Sequence, residues 1–141
     1  MEERTYVMLK PDAVRRRLAG EIIRRIEQKG YRIAQIKTMH LTRLQLQKHY
    51  SHIAQQPFYS QVEEYMMSGP VIAMIVEGEH AVSGVRILMG KTRFEEALPG
   101  SIRGDFAQST TRNVIHASDS PEAAEVEIER FFGKHGGNEV L

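Results

Sequence analysis

Apolar residues in the first third of the chain change from a short continuous run to helical spacing and back. Residues 5–9 form an apolar run that Pro11 closes, and we predict a buried strand there. Between Ala13 and Lys29 the apolar residues fall on one face at every fourth position, which predicts a helix ending at Gly30. The face consists of Leu18, Ile22 and Ile26. Residues 31–41 then predict a second strand.

The middle of the chain predicts three helices and one strand. Thr42 is suited to cap a helix running to about Lys48, and a second helix is expected over residues 58–67. The apolar run Val71–Val76 is the clearest strand signal. Residues 80–89 then carry apolar side chains on one side of a predicted helix, namely Val82, Val85, Leu88 and Met89.

The last third begins with a stretch that has little periodicity. Residues 90–112 predict a long loop, and a loop of this length inside a compact domain is commonly functional. Residues 113–116 predict a short strand. Ser120 and Pro121 are typical of a helix start, and the helix should run to about Phe132. Residues 133–141 form a polar, glycine-rich tail.

Four strands interleaved with helices predict an α/β sandwich of the ferredoxin-like type, a four-stranded antiparallel sheet with packed helices. We expect one domain over residues 1–141, because no linker or repeat interrupts the chain. The longest apolar run is too short to span a bilayer and no signal peptide is visible, so we expect a cytoplasmic protein without a membrane partner.

Composition narrows the chemistry available. The chain has no cysteine, which excludes a disulfide framework, a thiolate zinc site and a cysteine nucleophile. Its formal net charge is +1, so it lacks the broad basic field of a typical nucleic-acid-binding protein. Local cationic clusters remain available for a smaller anion.

Several motifs resemble known sites but fail in detail. Five residues separate Gly84 from Gly90, whereas a phosphate-binding P-loop has four, and the intervening residues are bulky and apolar. Protein-kinase signatures are missing. Residues 49–52 lack the spacing and the glutamate of a zinc-protease helix, and we interpret them as a solvated helix face. Residues 103–106 carry an acid where an RNA-recognition strand needs an aromatic residue.

The histidines differ in their sequence context. Most histidines are surface residues or satisfied buried ones, and we interpret five of the six in that way. These five are His40, His49, His52, His80 and His135. His116 instead ends an apolar strand and precedes the start of a helix. A ring in that position can act as a nucleophile if one nitrogen is free and the other is held, although the position alone slightly favours a structural role.

Cationic residues near other element ends strengthen the functional interpretation of His116. Lys10 ends a strand, Arg86 lies on a helix and Arg103 lies in the long loop. Taken singly, each is typical of a solvated surface charge. Together they could converge on one polyanion, because lysine offers a mobile charge and arginine a planar fork for phosphate oxygens.

The chain at this point resembles the nucleoside diphosphate kinase family, in family order from about residue 4 to residue 132. The segment from Asn113 to Ser120 is highly specific by itself. The matching segments are Leu9-Lys10-Pro11-Asp12, Gly20-Glu21-Ile22-Ile23, His49-Tyr50, Pro57-Phe58, Ser68-Gly69-Pro70-Val71, Pro99-Gly100-Ser101-Ile102-Arg103-Gly104-Asp105-Phe106 and Asn113-Val114-Ile115-His116-Ala117-Ser118-Asp119-Ser120. Ala117 stands where many members have glycine, a small change.

The resemblance implies roles for eleven residues. His116 would be the nucleophile that carries the phosphoryl group, with Glu127 fixing its tautomer and Ser118 supporting Glu127. Tyr50 would pack beside the phosphate, Phe58 would stack on the base, and Asp119 would lie near the metal through water. The residues implied to bind the phosphates and the sugar hydroxyl are Lys10, Arg86, Thr92, Arg103 and Asn113.

The resemblance also implies the reaction and its partners. A γ-phosphoryl group would pass from ATP to a diphosphate such as GDP by a ping-pong mechanism, with Mg²⁺ carried on the nucleotide phosphates. Members are oligomers built from dimers, and we expect a hexamer rather than a tetramer. The alternative is a nucleotide- or nucleic-acid-binding module of the same fold without turnover. The paired His116 and Glu127 argue against that alternative.

Overall fold

The computed structural model describes residues 1–134; the predicted tail beyond them, including His135, lies outside the described residues. Four strands and seven α-helices follow one another through this part of the chain. In chain order they are β1 (Glu2–Leu9), α1 (Pro11–Arg15), α2 (Ala19–Gln28), β2 (Arg32–Met39), α3 (Arg43–His49), α4 (Tyr59–Met66), β3 (Val71–Glu79), α5 (Ala81–Met89), α6 (Ile102–Phe106), β4 (Ile115–Ala117) and α7 (Pro121–Phe132). A short 3₁₀ helix, Phe94–Glu96, lies between α5 and α6.

The strands form one sheet in the order β2-β3-β1-β4. Every neighbouring pair in it is antiparallel. The central pair places Tyr6 opposite Ile75, and Met8 lies opposite His116 on the other side of β1. This arrangement confirms the predicted ferredoxin-like fold. It also puts the ends of β1 and β4 side by side, so Lys10 and His116 come from adjacent strands.

Both faces of the sheet are covered, as the alternation along β1 requires. Val7 and Leu9 point to one face, where they pack with buried residues of α2 and α5. Tyr6 and Met8 point to the other face, against α3, α4 and α7. Strands buried on both faces read as continuous apolar runs, as residues 5–9 of β1 and Val71–Val76 of β3 do.

The predicted helix over residues 13–29 is wrong in one respect: it is two helices. Arg17 adopts a left-handed φ of 61°, which separates α1 from α2. The Arg16 guanidinium donates to the Phe106 carbonyl at 2.8 Å, so a contact from far along the chain accompanies the break. Ile22 and Ile26 are buried, and Leu18 packs partly buried against them, so the predicted apolar face is correct.

The predicted loop over residues 90–112 is partly helical. Besides the 3₁₀ turn it contains α6, where the Ser101 hydroxyl accepts from the Gly104 amide as an N-cap. Gly104 approaches the Leu98 carbonyl so closely that a Cβ would lie 1.9 Å from that oxygen. Only glycine therefore fits this contact. The predicted strand over 113–116 lies at 115–117 instead.

The predicted helix starts are confirmed at two sites. Thr42 and Gln45 form a reciprocal capping box at α3. Ser120 accepts from the Ala123 amide at 3.0 Å, and Pro121 follows at the first helical position of α7. Among the described residues, no helix has the length and apolar character needed to cross a membrane.

Candidate active site

A cavity of about 690 Å³ opens where the ends of β1 and β4 meet the helices. Ten of the eleven residues predicted for the site line it. They are Lys10, Tyr50, Phe58, Arg86, Thr92, Arg103, Asn113, His116, Asp119 and Glu127. The eleventh, Ser118, is fully buried and hydrogen-bonds to Glu127. Residues spread over 118 positions of sequence, from Lys10 to Glu127, therefore converge on one cavity.

A strained turn delivers His116 to this cavity. The Ile115 amide donates to the Asn113 carbonyl at 2.8 Å, which closes a three-residue turn around Val114. Val114 has a φ of 64°, a conformation that β-branched residues rarely adopt and that costs about 1–3 kcal/mol. The Lys10 amide donates to the Val114 carbonyl at 2.8 Å and holds the turn against the end of β1.

The His116 ring is held through one nitrogen. Its Nε2 lies 3.0 Å from Glu127 Oε1, and the Ser118 hydroxyl donates to the same oxygen at 2.7 Å. Burial works against ionisation of Glu127, but the hydrogen bonds from His116 and Ser118 outweigh it and keep the pKa of this carboxyl below its ordinary value. An ionised carboxylate only accepts, so Nε2 carries the proton and Nδ1 keeps a lone pair.

Lys10 supplies a mobile charge close to the ring. Its ammonium is buried and donates to Asn113 Oδ1 at 2.7 Å. Burial, aided by the nearby Arg103 guanidinium, lowers the pKa of Lys10 to about 7, and Asp12 opposes that shift. This ammonium is therefore only marginally stable as a cation at neutral pH, and a bound anion would stabilise it.

Arg103 is a buried guanidinium with spare donor capacity. It donates through Nε to the Asn113 carbonyl at 3.3 Å and through Nη2 to the Ile115 carbonyl at 2.6 Å. Its Nη1 is buried and has no partner within residues 1–134. Burial and the neighbouring Arg86 lower the pKa of Arg103 to about 10, so it remains charged at neutral pH. Arg86 itself donates to the Ala117 carbonyl at 3.2 Å.

The floor of the cavity is formed by Lys10, Arg103, His116 and Glu127. The mouth of the cavity is more open than this floor. Phe58 has 49% of its surface exposed, and Thr92 and Asp119 are also exposed. Tyr50 lies deeper, where burial raises the pKa of its hydroxyl to about 12, so it stays protonated. A charged, enclosed floor below an exposed aromatic ring fits a ligand with an anionic end and a flat, less polar end.

The helix that follows Phe58 is tied to the end of β1. The Tyr65 hydroxyl donates to the Asp12 carboxylate in a short hydrogen bond, and it accepts from the Asp12 amide at 3.2 Å. Asp12 is in α1, two residues after Lys10, and Tyr65 is in α4. This hydrogen bond therefore holds α4 beside the cationic part of the cavity. Sequence reasoning did not identify Tyr65, which lies within an amphipathic helical pattern like any core residue.

His49 was also missed, and its predicted solvated environment is wrong. It is buried at the end of α3, with its ring 4.5 Å from the His116 ring and nearly perpendicular to it. Leu46 and His49 lie three positions apart on the inward face of α3, and both are buried. That spacing and the family-matching pair His49-Tyr50 were the signals available in the sequence. His52, by contrast, is exposed at the cavity edge.

A metal could be held in two ways here. One ligand atom each from His49, His116 and Glu127 lies within 4.8 Å of the others. Glu127 is already hydrogen-bonded there, and Arg130 and Lys10 add positive charge, so these surroundings oppose a cation. The exposed carboxylate of Asp119 also borders the cavity. A cation that arrives already bound to an anionic ligand therefore fits best near Asp119.

Comparisons with known proteins agree on one family. A family model described as "Nucleoside diphosphate kinase" matches residues 3–136. A protein of that name from Methanocaldococcus jannaschii is 52% identical over 132 residues, 94% of this chain and 94% of its own length. One from Archaeoglobus fulgidus is 51% identical over 130 residues, 92% of this chain and 86% of its own length.

Solved structures give the same result. The crystal structure of the nucleoside diphosphate kinase from Encephalitozoon cuniculi aligns with a TM-score of 0.93 and 45% identity, covering 99% of this chain and 93% of that one. The Aquifex aeolicus nucleoside diphosphate kinase aligns with a TM-score of 0.90 and 39% identity, covering 96% and 99%. The similarity therefore extends over nearly the whole chain.

Proposed function

The chain belongs to the nucleoside diphosphate kinase family and has that family's activity, and we propose that it transfers the phosphoryl group through a phosphohistidine on His116. The observation that carries this proposal is the pairing of Glu127 with Nε2 of His116 at 3.0 Å. The pairing leaves Nδ1 as the nucleophilic nitrogen. Lys10 and Arg103 line the same cavity as charges for a phosphate.

The reaction consists of two related displacements. In the first, the Nδ1 lone pair attacks the terminal phosphorus of a triphosphate such as ATP; an N–P bond forms, the bridging P–O bond breaks, and the diphosphate leaves. In the second, the terminal oxygen of another diphosphate, such as GDP, attacks the phosphohistidine and the N–P bond breaks. Glu127 holds the Nε2 proton throughout and stabilises the positive charge on the ring.

The floor residues bind and orient the phosphates in this proposal. Arg103 and Arg86 stabilise charge on the phosphoryl oxygens, while Lys10 is aligned by Asn113. Thr92 contacts the phosphates and Asn113 the sugar hydroxyl. Tyr50 packs beside the reacting group, protonated and uncharged. Ser118 orients Glu127.

Phe58 stacks on the base at the mouth. Every base has an aromatic face, so stacking on a single exposed ring accepts different bases. This supports a broad nucleotide range, with both substrates using the same site in turn.

Mg²⁺, carried on the nucleotide phosphates, is part of the proposal. Among the described residues that line the cavity, the carboxylates are Asp119 and Glu127, and Glu127 is already hydrogen-bonded to His116. A protein that offers one remaining carboxylate fits an ion held mainly by phosphates, with Asp119 reached through water. When bound, the ion neutralises charge on the phosphate oxygens.

The proposal also includes a homo-oligomer built from dimers, a hexamer rather than a tetramer. It includes a cytoplasmic location, where nucleotides are abundant. Large apolar side chains support self-association: Ile87 is 76% exposed, Leu98 is 74% exposed, and Ile36 on the edge strand β2 is 50% exposed. Sedimentation equilibrium should give a multiple of the dimer mass; a monomer would contradict this part.

The experiment that tests the mechanism is a label and chase. The protein is incubated with γ-³²P-labelled ATP and Mg²⁺, freed of nucleotide, and then given GDP. We expect acid-labile, alkali-stable label on the protein that GDP removes as labelled GTP. His116→Ala should abolish labelling, whereas the matched surface variant His40→Ala should keep it. Normal transfer by His116→Ala would refute the mechanism while leaving family membership intact.

A binding module without turnover is the alternative, and family membership does not favour it. It predicts nucleotide binding without loss of ATP when GDP is added. The same incubation, followed by separation of the nucleotides, distinguishes the two.

A further inference from the structure

His49 has no part in the transfer described above, yet it is packed into the floor of the site. Its side chain is 2% exposed. The ring meets His116 edge to face at 4.5 Å and Phe131 at 5.4 Å. A buried titratable ring in contact with the nucleophile can alter the reaction simply by changing its own charge, because charges interact strongly where water is excluded.

Arg130 determines which nitrogen of His49 carries the proton. The Arg130 Nη1 group, on α7, lies 3.2 Å from Nδ1 of His49. A guanidinium nitrogen only donates, so Nδ1 must accept, and the proton of the neutral ring is on Nε2. A doubly protonated His49 would point an N–H at the Arg130 N–H, which disfavours that form. The contact therefore specifies a neutral ring with one tautomer.

Glu127 lies between the two histidines and has one oxygen to spare. Its Oε1 is shared by His116 and Ser118, whereas its Oε2 lies 3.8 Å from Nδ1 of His49. If Nδ1 of His49 gained a proton, it would become a donor facing Oε2. The carboxylate would then be divided between two imidazole rings, and its support of the His116 ring would weaken.

The other groups facing His49 also act on its charge. Burial is the largest influence, and repulsion by His116 when that ring is protonated and by the charges of Arg130 and Lys10 adds to it; together they lower the pKa of His49 to about 3, against the attraction of Glu127. Arg130 acts in two ways, because its charge repels a proton on the ring and its N–H occupies the lone pair that would take it up. Glu127, on the same helix as Arg130, is the group among the described residues that favours protonation.

We propose that Arg130 is a positioning residue that keeps His49 neutral and thereby reserves the Glu127 carboxylate for His116. The proposal rests on the proposed role of His116 as nucleophile. It assigns two functions to α7, one turn apart. Glu127 holds the His116 ring, and Arg130 prevents the His49 ring from competing for the Glu127 carboxylate.

The direct test is the protonation state of His49 without turnover. Long-range ¹H–¹⁵N correlation spectra of the ¹⁵N-histidine-labelled protein, assigned with His49→Gln, report tautomer and charge through a pH titration. We expect Nε2–H and a neutral ring at pH 5 in the wild type. Arg130→Leu should raise the titration midpoint by about one pH unit or more. Arg130→Lys, which keeps a charge and a donor, should give a smaller shift. An Nδ1–H tautomer in the wild type would overturn the proposal.

The second test is the pH profile of phosphohistidine formation, measured by rapid quench with labelled ATP. Arg130→Leu should move the acid limb of this rate upward, because His49 then takes up a proton in a pH range where it stays neutral in the wild type. In Arg130→Leu/His49→Gln the limb should return to the wild-type position, because the titrating group is gone. A limb that does not move in Arg130→Leu, or that stays shifted in the double variant, contradicts the proposal. Label on His116 at high pH tests the mechanism separately.

Discussion

The floor and the mouth of the cavity are built in opposite ways. On the floor, His116 and Glu127 have side chains only 23% and 13% exposed, and hydrogen bonds and a strained turn fix their positions. At the mouth, Phe58 is 49% exposed and directly precedes α4. The two regions belong to one cavity and differ mainly in how much of each side chain is constrained.

The difference follows from what each region has to do. Phosphoryl transfer depends on placing a nucleophile and charges within a fraction of an ångström, which demands buried, multiply bonded groups. Base binding tolerates variation, because stacking requires only a flat apolar surface. We therefore expect changes to the floor to reduce the rate of the chemical step, and changes to the mouth to weaken nucleotide binding.

The largest effect should come from the carboxylate that holds the nucleophile. In Glu127→Gln the amide has no negative charge and can present either a donor or an acceptor to Nε2, so the ring loses both its fixed tautomer and its stabilising charge. We expect kcat to fall by roughly 100-fold or more, with a small change in KM. Steady-state kinetics with ATP and GDP measures both constants.

Glu129→Gln is the matched control on the same helix, because Glu129 is exposed. It should leave kcat within about twofold of the wild type, as expected for a surface change. If Glu127→Gln behaved like this control, the carboxylate would have no part in transfer, and the distinction between floor and mouth would lose its main support.

A smaller and different effect should follow from removing the ring at the mouth. Stacking on one base contributes about 1–3 kcal/mol, and an exposed ring belongs at the lower end of that range. Phe58→Ala should raise KM by about tenfold for purine and pyrimidine nucleotides alike, while kcat changes little. Phe58→Tyr, which keeps the aromatic face, should stay near the wild type. A selective effect on one base would contradict simple stacking.

Sequence patterns predicted the framework better than its irregularities. The apolar runs of β1 and β3 and the Ser120–Pro121 helix start arise from local chemistry, so they were visible without a structure. The break at Arg17 was not, because it carries neither glycine nor proline and coincides with the contact from Arg16 to the distant Phe106 carbonyl. Helix α6 is only five residues long, which is too short for a periodic signal.

The candidate site shows the same division. The features shared with the family predicted the ten cavity-lining residues and Ser118. They did not predict the positive φ of Val114 or the burial of His49. Both depend on how separate elements meet: the turn is held by the Lys10 amide, and His49 is enclosed by α7. Tertiary contacts of this kind leave little trace in one sequence.

The floor also differs from the mouth in the protonation of Lys10, which depends on pH and on nucleotide binding. Burial lowers the pKa of Lys10 to about 7, so above neutral pH this side chain is largely uncharged unless an anion is bound beside it. A bound triphosphate places negative charge beside it and raises the pKa again. Nucleotide binding should therefore take up a proton above about pH 7. The uptake should disappear below that pH, where Lys10 is already charged.

Isothermal titration calorimetry with ADP in buffers of different ionisation enthalpy counts this proton. We expect uptake of most of one proton at pH 8 and little uptake attributable to Lys10 at pH 6, because the pKa of Lys10 before nucleotide binding is about 7. Lys10→Arg provides the control, since a guanidinium stays charged at both pH values and should take up no proton at pH 8. Phe58→Ala should weaken binding yet keep the uptake, because Phe58 lies at the mouth and not beside the ammonium. Equal uptake by wild type and Lys10→Arg would assign the proton to another group and remove Lys10 as the titrating charge of the floor.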